Sequence, residues 1–263
     1  MEQKKVSVIL PTYNGAKYIR QAINSCLEQT YRNIELIIVD DNSSDGTDKI
    51  INSYSDQRII YLKHGKNMGL PTALNTGFRM SSGDFLTWQS DDNFLSLNAI
   101  EKMVRALDGD RSASFVYANF YFIDEKGSIF QNFRVKSPKS LDIGNYIGPC
   151  FLYRRNVYEK IGDYNPKFEL VEDYEYLLRI RQKFKMKRIN DFLCYYRRHS
   201  RSLTSLNKAT EIAERAEKAS SSYVSSLYAR YYQRGLFYEF RNLNPLYCKK
   251  NDKNILSGVS RQS

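Results

Sequence analysis

Asp91 and Asp92 are neighbouring carboxylates that directly follow the strand-like run Asp-Phe-Leu-Thr-Trp-Gln-Ser at 84–90. An apolar run ending in acids and Asn93 puts charge at the carboxyl end of a buried strand, where open α/β sheets bind ligands. Two like charges side by side stay ionised together only if a cation or strong donors share the site. A hard divalent metal meets that need, and phosphate oxygens can complete its shell. The same three residues also read as a solvated turn capping a helix that begins near Ala99.

A second acid pair, Glu172-Asp173, precedes a basic amphipathic segment over 174–181. A helix dipole favours an anion at such an N-terminus, which is a sufficient structural reason for Asp173. The chemical alternative is a general base aimed at a substrate hydroxyl. His199, one of only two histidines, lies in Tyr-Tyr-Arg-Arg-His-Ser-Arg at 195–201. It is either a structural imidazole or, with its arginines, a contact for a diphosphate or its metal.

Nearer the start, Pro11-Thr12-Tyr13-Asn14-Gly15 leaves a short β-rich run, Val6 to Leu10. Tyr13 suits stacking on a base and Thr12 suits hydrogen bonding to it, unless the segment is only a strand-to-helix turn capped by Asn14. Asp40-Asp41 ends a second strand; an acid there can accept from ribose hydroxyls or a base N–H, while Ser44 or Asp45 caps the next helix. The Asn67-to-Gly77 segment enters a helix with Asn75 inside it, so Asn75 either faces solvent or holds another loop. Competing motifs fail. The chain lacks Gly-x-Gly-x-x-Gly, Gly65-Lys66-Asn67 is not a phosphate loop, and a calcium loop counted from Asp41 has Asn52 where Glu is required.

Strand signals at 6–10, 34–39, 59–62 and 85–88 alternate with helical spacing at 16–29, from 44–47 onward and at 70–79. Such alternation predicts βαβ crossovers and a doubly wound, mainly parallel α/β sheet. Further on, 114–123 and 128–133 form a hairpin around 124–127; 150–153 and 192–196 read as strands, and 173–184 as a helix. From 207 onward Ile212, Ala216, Ala219, Tyr223, Leu227 and Tyr231 make a helical stripe, broken by Gly235 and Pro245 before a polar end.

The 263 residues carry a net charge of +11 and include 21 tyrosines, so anionic partners are expected, whether phosphate, lipid or nucleic acid. Cys26, Cys150, Cys194 and Cys248 form no close pair, which argues against zinc and for a reducing, cytoplasmic setting. The first apolar run is too short for a secretory segment and no window reaches a membrane span. Basic residues from Arg179 to Arg201, with Arg230, Arg234 and Arg241, fit either a solvated face or peripheral contact with an anionic membrane. They do not form a nucleic-acid reader motif, so no nucleic-acid partner is expected. A sugar nucleotidyltransferase, the other alternative, would want a Gly-rich basic loop where Pro11-Thr-Tyr-Asn stands.

Taken in order, Val6–Asn14, Val39–Thr47, Asn67-x-Gly69-Leu with Asn75-x-Gly77, Ser90-Asp-Asp, Glu172-Asp-Tyr and Tyr196-Arg-Arg-His199 resemble a family-2 glycosyltransferase with the GT-A fold. The resemblance spans about residues 5–205. It implies a catalytic domain over 1–205, a helical extension over 206–263, a nucleoside-diphosphate sugar donor (UDP by preference), Mg2+ or Mn2+, and inversion at the anomeric carbon. It further implies that Pro11, Thr12, Tyr13, Asp41, Asn67 and Asp91 frame the nucleotide, and that Asn75 and Glu172 meet sugar or acceptor. Asp92 would hold the metal with His199, and Asp173 would be the base. Ser-Asp-Asp departs from the common Asp-x-Asp. No processive signature follows, so one sugar is expected to pass to a saccharide or lipid-linked saccharide.

Overall fold

The computed structural model describes residues 3–142, 144–206 and 209–223. In its first part β1 (Val6–Thr12), β2 (Ile34–Asp40), β3 (Ile59–Lys63) and β4 (Phe85–Trp88) alternate with α1 (Ile19–Leu27), α2 (Thr47–Ile51) and α3 (Leu70–Met80). The strands lie in the order β3-β2-β1-β4 and pair in parallel throughout. Every residue of β1 and β2 is buried, as expected of strands covered on both faces. Alternate side chains of β2 divide between those faces: Leu36 and Ile38 enter the main core, whereas Ile37 and Val39 pack with Ala73 of α3. Ile19, Ala22, Ile23 and Cys26 give α1 a buried stripe. The helix starts three residues later than its apolar pattern suggests, because Asn14 adopts φ 54° and the chain turns before Ile19.

The second part comprises β5 (Phe94–Leu95), α4 (Ala99–Asp108), β6 (Ala113–Ile123), β7 (Ile129–Phe133), β8 (Phe151–Arg154), α5 (Arg155–Ile161), α6 (Glu172–Lys183), β9 (Lys185–Arg197), α7 (Leu203–Leu206) and α8 (Ala209–Ser221). Here the sheet becomes mixed. β8 lies antiparallel between β4 and β6, β9 runs parallel to β6, and β7 and β5 are antiparallel additions. The expected hairpin is β6–β7. β9 starts well before 192; its first half sets exposed Lys185, Arg188, Asn190 and Asp191 around Met186, Lys187 and Ile189, which hides its strand periodicity.

Ile212, Ala216 and Ala219 of α8 join the main core, and α8 packs on α6. The described part of the extension therefore covers its own domain. Leu227, Arg230, Tyr231, Arg234, Gly235, Arg241, Pro245 and Cys248 lie outside the described residues. Cys26, Cys150 and Cys194 are buried free thiols, and burial pushes Cys26 up to about 12. Among the described residues no helix is long and apolar enough to cross a membrane.

Candidate active site

Thr12, the last residue of β1, joins three of the predicted positions. Its hydroxyl donates to Asp91 Oδ2 at 2.5 Å, and its carbonyl accepts the Asp41 N–H at 2.8 Å. Gly15 is required beside it, since a Cβ there would sit on the Asp91 carboxylate. The Asn14 side chain accepts from Ser44 N, and its own N–H donates to Ser43, which locks the first two strand-end loops together. Asp45 accepts from Thr47 N and Oγ1 and from Ala16 N, but the N-cap of α2 is Gly46, so Asp45 steadies the helix start from one residue outside it and is not the cap read from sequence. Pro11 is buried opposite Val39, whereas the Tyr13 ring is 52% exposed and able to meet a planar ligand.

Asp41 is not a free carboxylate. It accepts from Met68 N and Gly69 N and pairs with His64 Nδ1 at 2.7 Å, while His64 Nε2 contacts Thr76. Asn67 accepts from Gly69 N in the same loop. His64 was not singled out by sequence reasoning, and nothing in its local pattern marks it.

Asp91 is half-buried, and desolvation together with the Asp92 charge raises its carboxyl to about 7. Asp92 accepts from Ser90 Oγ at 2.6 Å, and its Oδ2 lies 2.9 Å from His199 Nε2. Arg201 N donates to His199 Nδ1, so the ring proton stands on Nε2 and is shared with Asp92. The helix-cap reading of this turn fails, because β5 intervenes and Asn98 is the α4 N-cap. Arg197, rather than contacting a diphosphate, is a buried clamp. Its guanidinium donates to the carbonyls of Asp92, Asp124 and Glu125 and to Gln21, and its N–H donates to Asn93.

The second acid pair opens α6. Because α6 runs back along the sheet before β9, its first turn stands at the end where β1, β4 and β6 terminate. A Cβ on Gly69 would meet Glu169 Oε1 at 2.8 Å, which puts the Asp41 loop beside the loop leading into Glu172. Asp173 accepts from Asn145 Nδ2 at 2.8 Å and from Tyr174 N at 2.6 Å; burial raises its carboxyl. Glu172 is buried with Oε2 unpartnered, and burial plus the Asp173 charge push it up to about 8. Leu170, just before the pair, is held at φ 77°, a strained value for a leucine. Asn145, held in its own turn by Ile147 and Gly148 N–H groups, carries no sequence signal that could have found it.

Asn75 resolves the other way. Both ends of its buried amide bond the Tyr164 backbone, at 2.8 and 2.7 Å. It holds the distant loop instead of presenting its amide to a sugar, which corrects that expectation: a helical amide buried this deeply needs both partners inside the protein.

Asp92 and His199 offer an oxygen and a nitrogen donor side by side, each partly open to solvent. Such a pair suits Mg2+ or Mn2+ when diphosphate oxygens supply the remaining positions, provided the Nε2 proton leaves. Among the described residues no cluster of three metal-ligating side chains occurs, so the protein's share of a shell would be this pair.

Comparison with known proteins bears on the family and the fold. The chain is 31% identical over 211 residues to the Escherichia coli UDP-Glc:alpha-D-GlcNAc-diphosphoundecaprenol beta-1,3-glucosyltransferase WfaP, covering 79% of this chain and 82% of that one. It is 36% identical over 181 residues to a Rickettsia prowazekii glycosyltransferase, 65% of this chain and 56% of that protein. In a Rickettsia felis relative the match takes in 31% of the longer protein, so the chain spans about a third to just over half of the length of these Rickettsia relatives. Among solved structures, S. aureus TarS 1-349 in complex with UDP-GlcNAc superposes with a TM-score of 0.74 at 16% identity, over 94% of this chain and 76% of that one. The Pyrobaculum calidifontis mannosyltransferase PcManGT, in complex with GDP-Man and Mn2+, gives 0.64 at 19% identity, over 83% of this chain and 64% of that one. These likenesses support the GT-A fold. The family model for glycosyl transferase family 2 matches residues 7–162, from β1 through α5 and across the first acid pair, and the chain belongs to that family.

Proposed function

We propose that this glycosyltransferase moves one sugar from a UDP-sugar to a hydroxyl of a saccharide or lipid-linked saccharide, with inversion, at the cytoplasmic face of a membrane during cell-surface polysaccharide synthesis. The observation that carries the reading is the unequal treatment of Glu172 and Asp173. Donors from Asn145 and its own turn favour Asp173 as the anion, while Glu172 keeps its proton at neutral pH. Neighbouring carboxyls whose environments separate them in this way define a base and an acid. Asp173 therefore takes the proton from the acceptor hydroxyl as that oxygen attacks C1 of the sugar. Glu172, still protonated, can donate to an acceptor or sugar oxygen.

Tyr13 covers the base, and Pro11, Thr12, Asp41, Asn67 and Asp91 shape the nucleotide side. For Asp41 and Asn67 that shaping acts through the loop they hold. Asp92 and His199 are the residues for Mg2+ or Mn2+, and a cation held there would neutralise charge developing on the departing diphosphate. The name of the Escherichia coli relative supports uridine and a lipid-diphosphate acceptor, although the fold alone also accommodates GDP-sugars in a neighbour. A thermal-shift panel of UDP- and GDP-sugars, with and without Mn2+, tests this. UDP-sugars are expected to stabilise the protein only with metal. No shift with any sugar nucleotide, or retained anomeric configuration in the product by NMR, would refute the corresponding part.

A further inference from the structure

The β6–β7 hairpin carries Ile129 and Phe130 at 51% and 52% exposure, consecutive large apolar residues at the start of an edge strand. Successive strand residues point to opposite faces, so this end of the ribbon shows apolar surface on both sides. A flat protein partner would cover one side only, whereas a fluid apolar layer would surround both. The cations around it agree. Lys126 is exposed in the turn, and Arg198 lays its guanidinium 4.8 Å over Phe122, whose ring stacks 6.0 Å from Phe130. Arg198 Nε is buried without a hydrogen-bond partner, and Arg201 is exposed just beyond.

The turn is preorganised. Asp124 accepts from the N–H groups of Lys126 and Ser128, and Glu125 is neutralised by Lys17 at 2.8 Å. It also stands on the rim of the catalytic face, because Arg197 grips the carbonyls of Asp124 and Glu125 and leads directly to His199. Pairing of β7 with a second copy is disfavoured by its five-residue length and by the bulge at Phe122/Ile123.

We propose that the tip of this hairpin is a membrane wedge: Ile129 and Phe130 enter the headgroup–acyl boundary of an anionic bilayer while Lys126, Arg198 and Arg201 meet lipid phosphates, and the catalytic face is thereby set against the lipid surface. Interfacial elements that combine apolar side chains with Lys and Arg settle about 5–10 Å into that boundary. The proposal concerns lipid binding and stands apart from the identity of the donor.

Flotation of the full chain with phosphatidylglycerol-containing vesicles, against phosphatidylcholine vesicles, tests it. The wild type is expected to float with the anionic vesicles. The double variant Ile129→Ser, Phe130→Ser should lose at least about tenfold in partitioning. Lys126→Gln should lose about fivefold, an effect that fades in high salt. Leu97→Ser, which alters another exposed apolar residue, should float as the wild type does. Circular dichroism melting and UDP-sugar hydrolysis without acceptor confirm that each variant is folded and active. The proposal is overturned if the wild type does not float, if the double variant floats undiminished, or if light scattering shows that the double substitution dissolves a dimer and no vesicle binding exists.

Discussion

The two acid pairs, Asp91-Asp92 and Glu172-Asp173, look alike as dipeptides and are used differently by the fold. Glu172 is buried and the other three acids are half-buried, and in both pairs one carboxyl is raised into the neutral range, Asp91 to about 7 and Glu172 to about 8. The partners of the remaining acid separate them. Asp92 faces an imidazole and a serine hydroxyl, an arrangement suited to exchanging a proton for a cation. Asp173 faces an amide and a main-chain N–H, which hold an anion in place and supply no second ligand for a metal. What surrounds two adjacent acids, rather than their adjacency, decides whether they grip a cation or move a proton.

Substitutions at the second acid of each pair should give opposite kinetic signatures. Asp173→Asn is expected to lower transfer by about 10²–10⁴-fold while leaving UDP-sugar affinity intact by calorimetry. Loss of affinity in that variant would mean that the pairs are not distinct. Asp92→Ala should instead weaken Mn2+-dependent donor binding by at least about tenfold, a loss typical even of outer partners in metal sites. Unchanged affinity there would remove the cation role.

The smallest effects concern the raised carboxyls and sharpen the comparison through pH. Asp91 and Glu172 each hold a proton in the folded state that the unfolded chain has already released. Stability therefore falls as pH rises from about 4 through about 7 for Asp91, and through about 8 for Glu172. Asp91→Asn and Glu172→Gln should each flatten that decline in melting temperature. Glu172→Gln mimics the protonated acid, so its kcat/KM should match the wild type near neutrality and exceed it above about pH 8. A drop in activity for this variant at neutral pH would show that Glu172 acts as an anion.

Much of this was legible from local pattern. Apolar runs followed by Pro11, Asp40 and Asp91 announced the parallel strands and their ligand-bearing ends, because burial on both faces leaves a run with no polar alternation. The second half was harder to read. β9 escaped in its first half because its outward residues are Lys, Arg and Asn, and Asn75 kept two readings until Tyr164 was found against it. His64 and Asn145 gave no signal at all, and Arg197 was read only as part of a diphosphate-binding run and not as a clamp. Each acts on a partner 23 or more residues away, and spacing along the chain reports only neighbours within a turn or a strand.

The sequence by itself determined which strand ends carry charge, that Asp91-Asp92 and Glu172-Asp173 are candidate acid pairs, and the order of the family's motifs, since these follow from periodicity and from residues a few positions apart. Only the tertiary structure decided that Thr12 ties Asp91 to the Asp41 loop, that His199 returns to Asp92, and that Asn145 donates to Asp173 while Glu172 Oε2 is left without a partner. Those outcomes depend on burial and on donors brought from distant loops, and the free energy of a buried charge is set by what surrounds it in space.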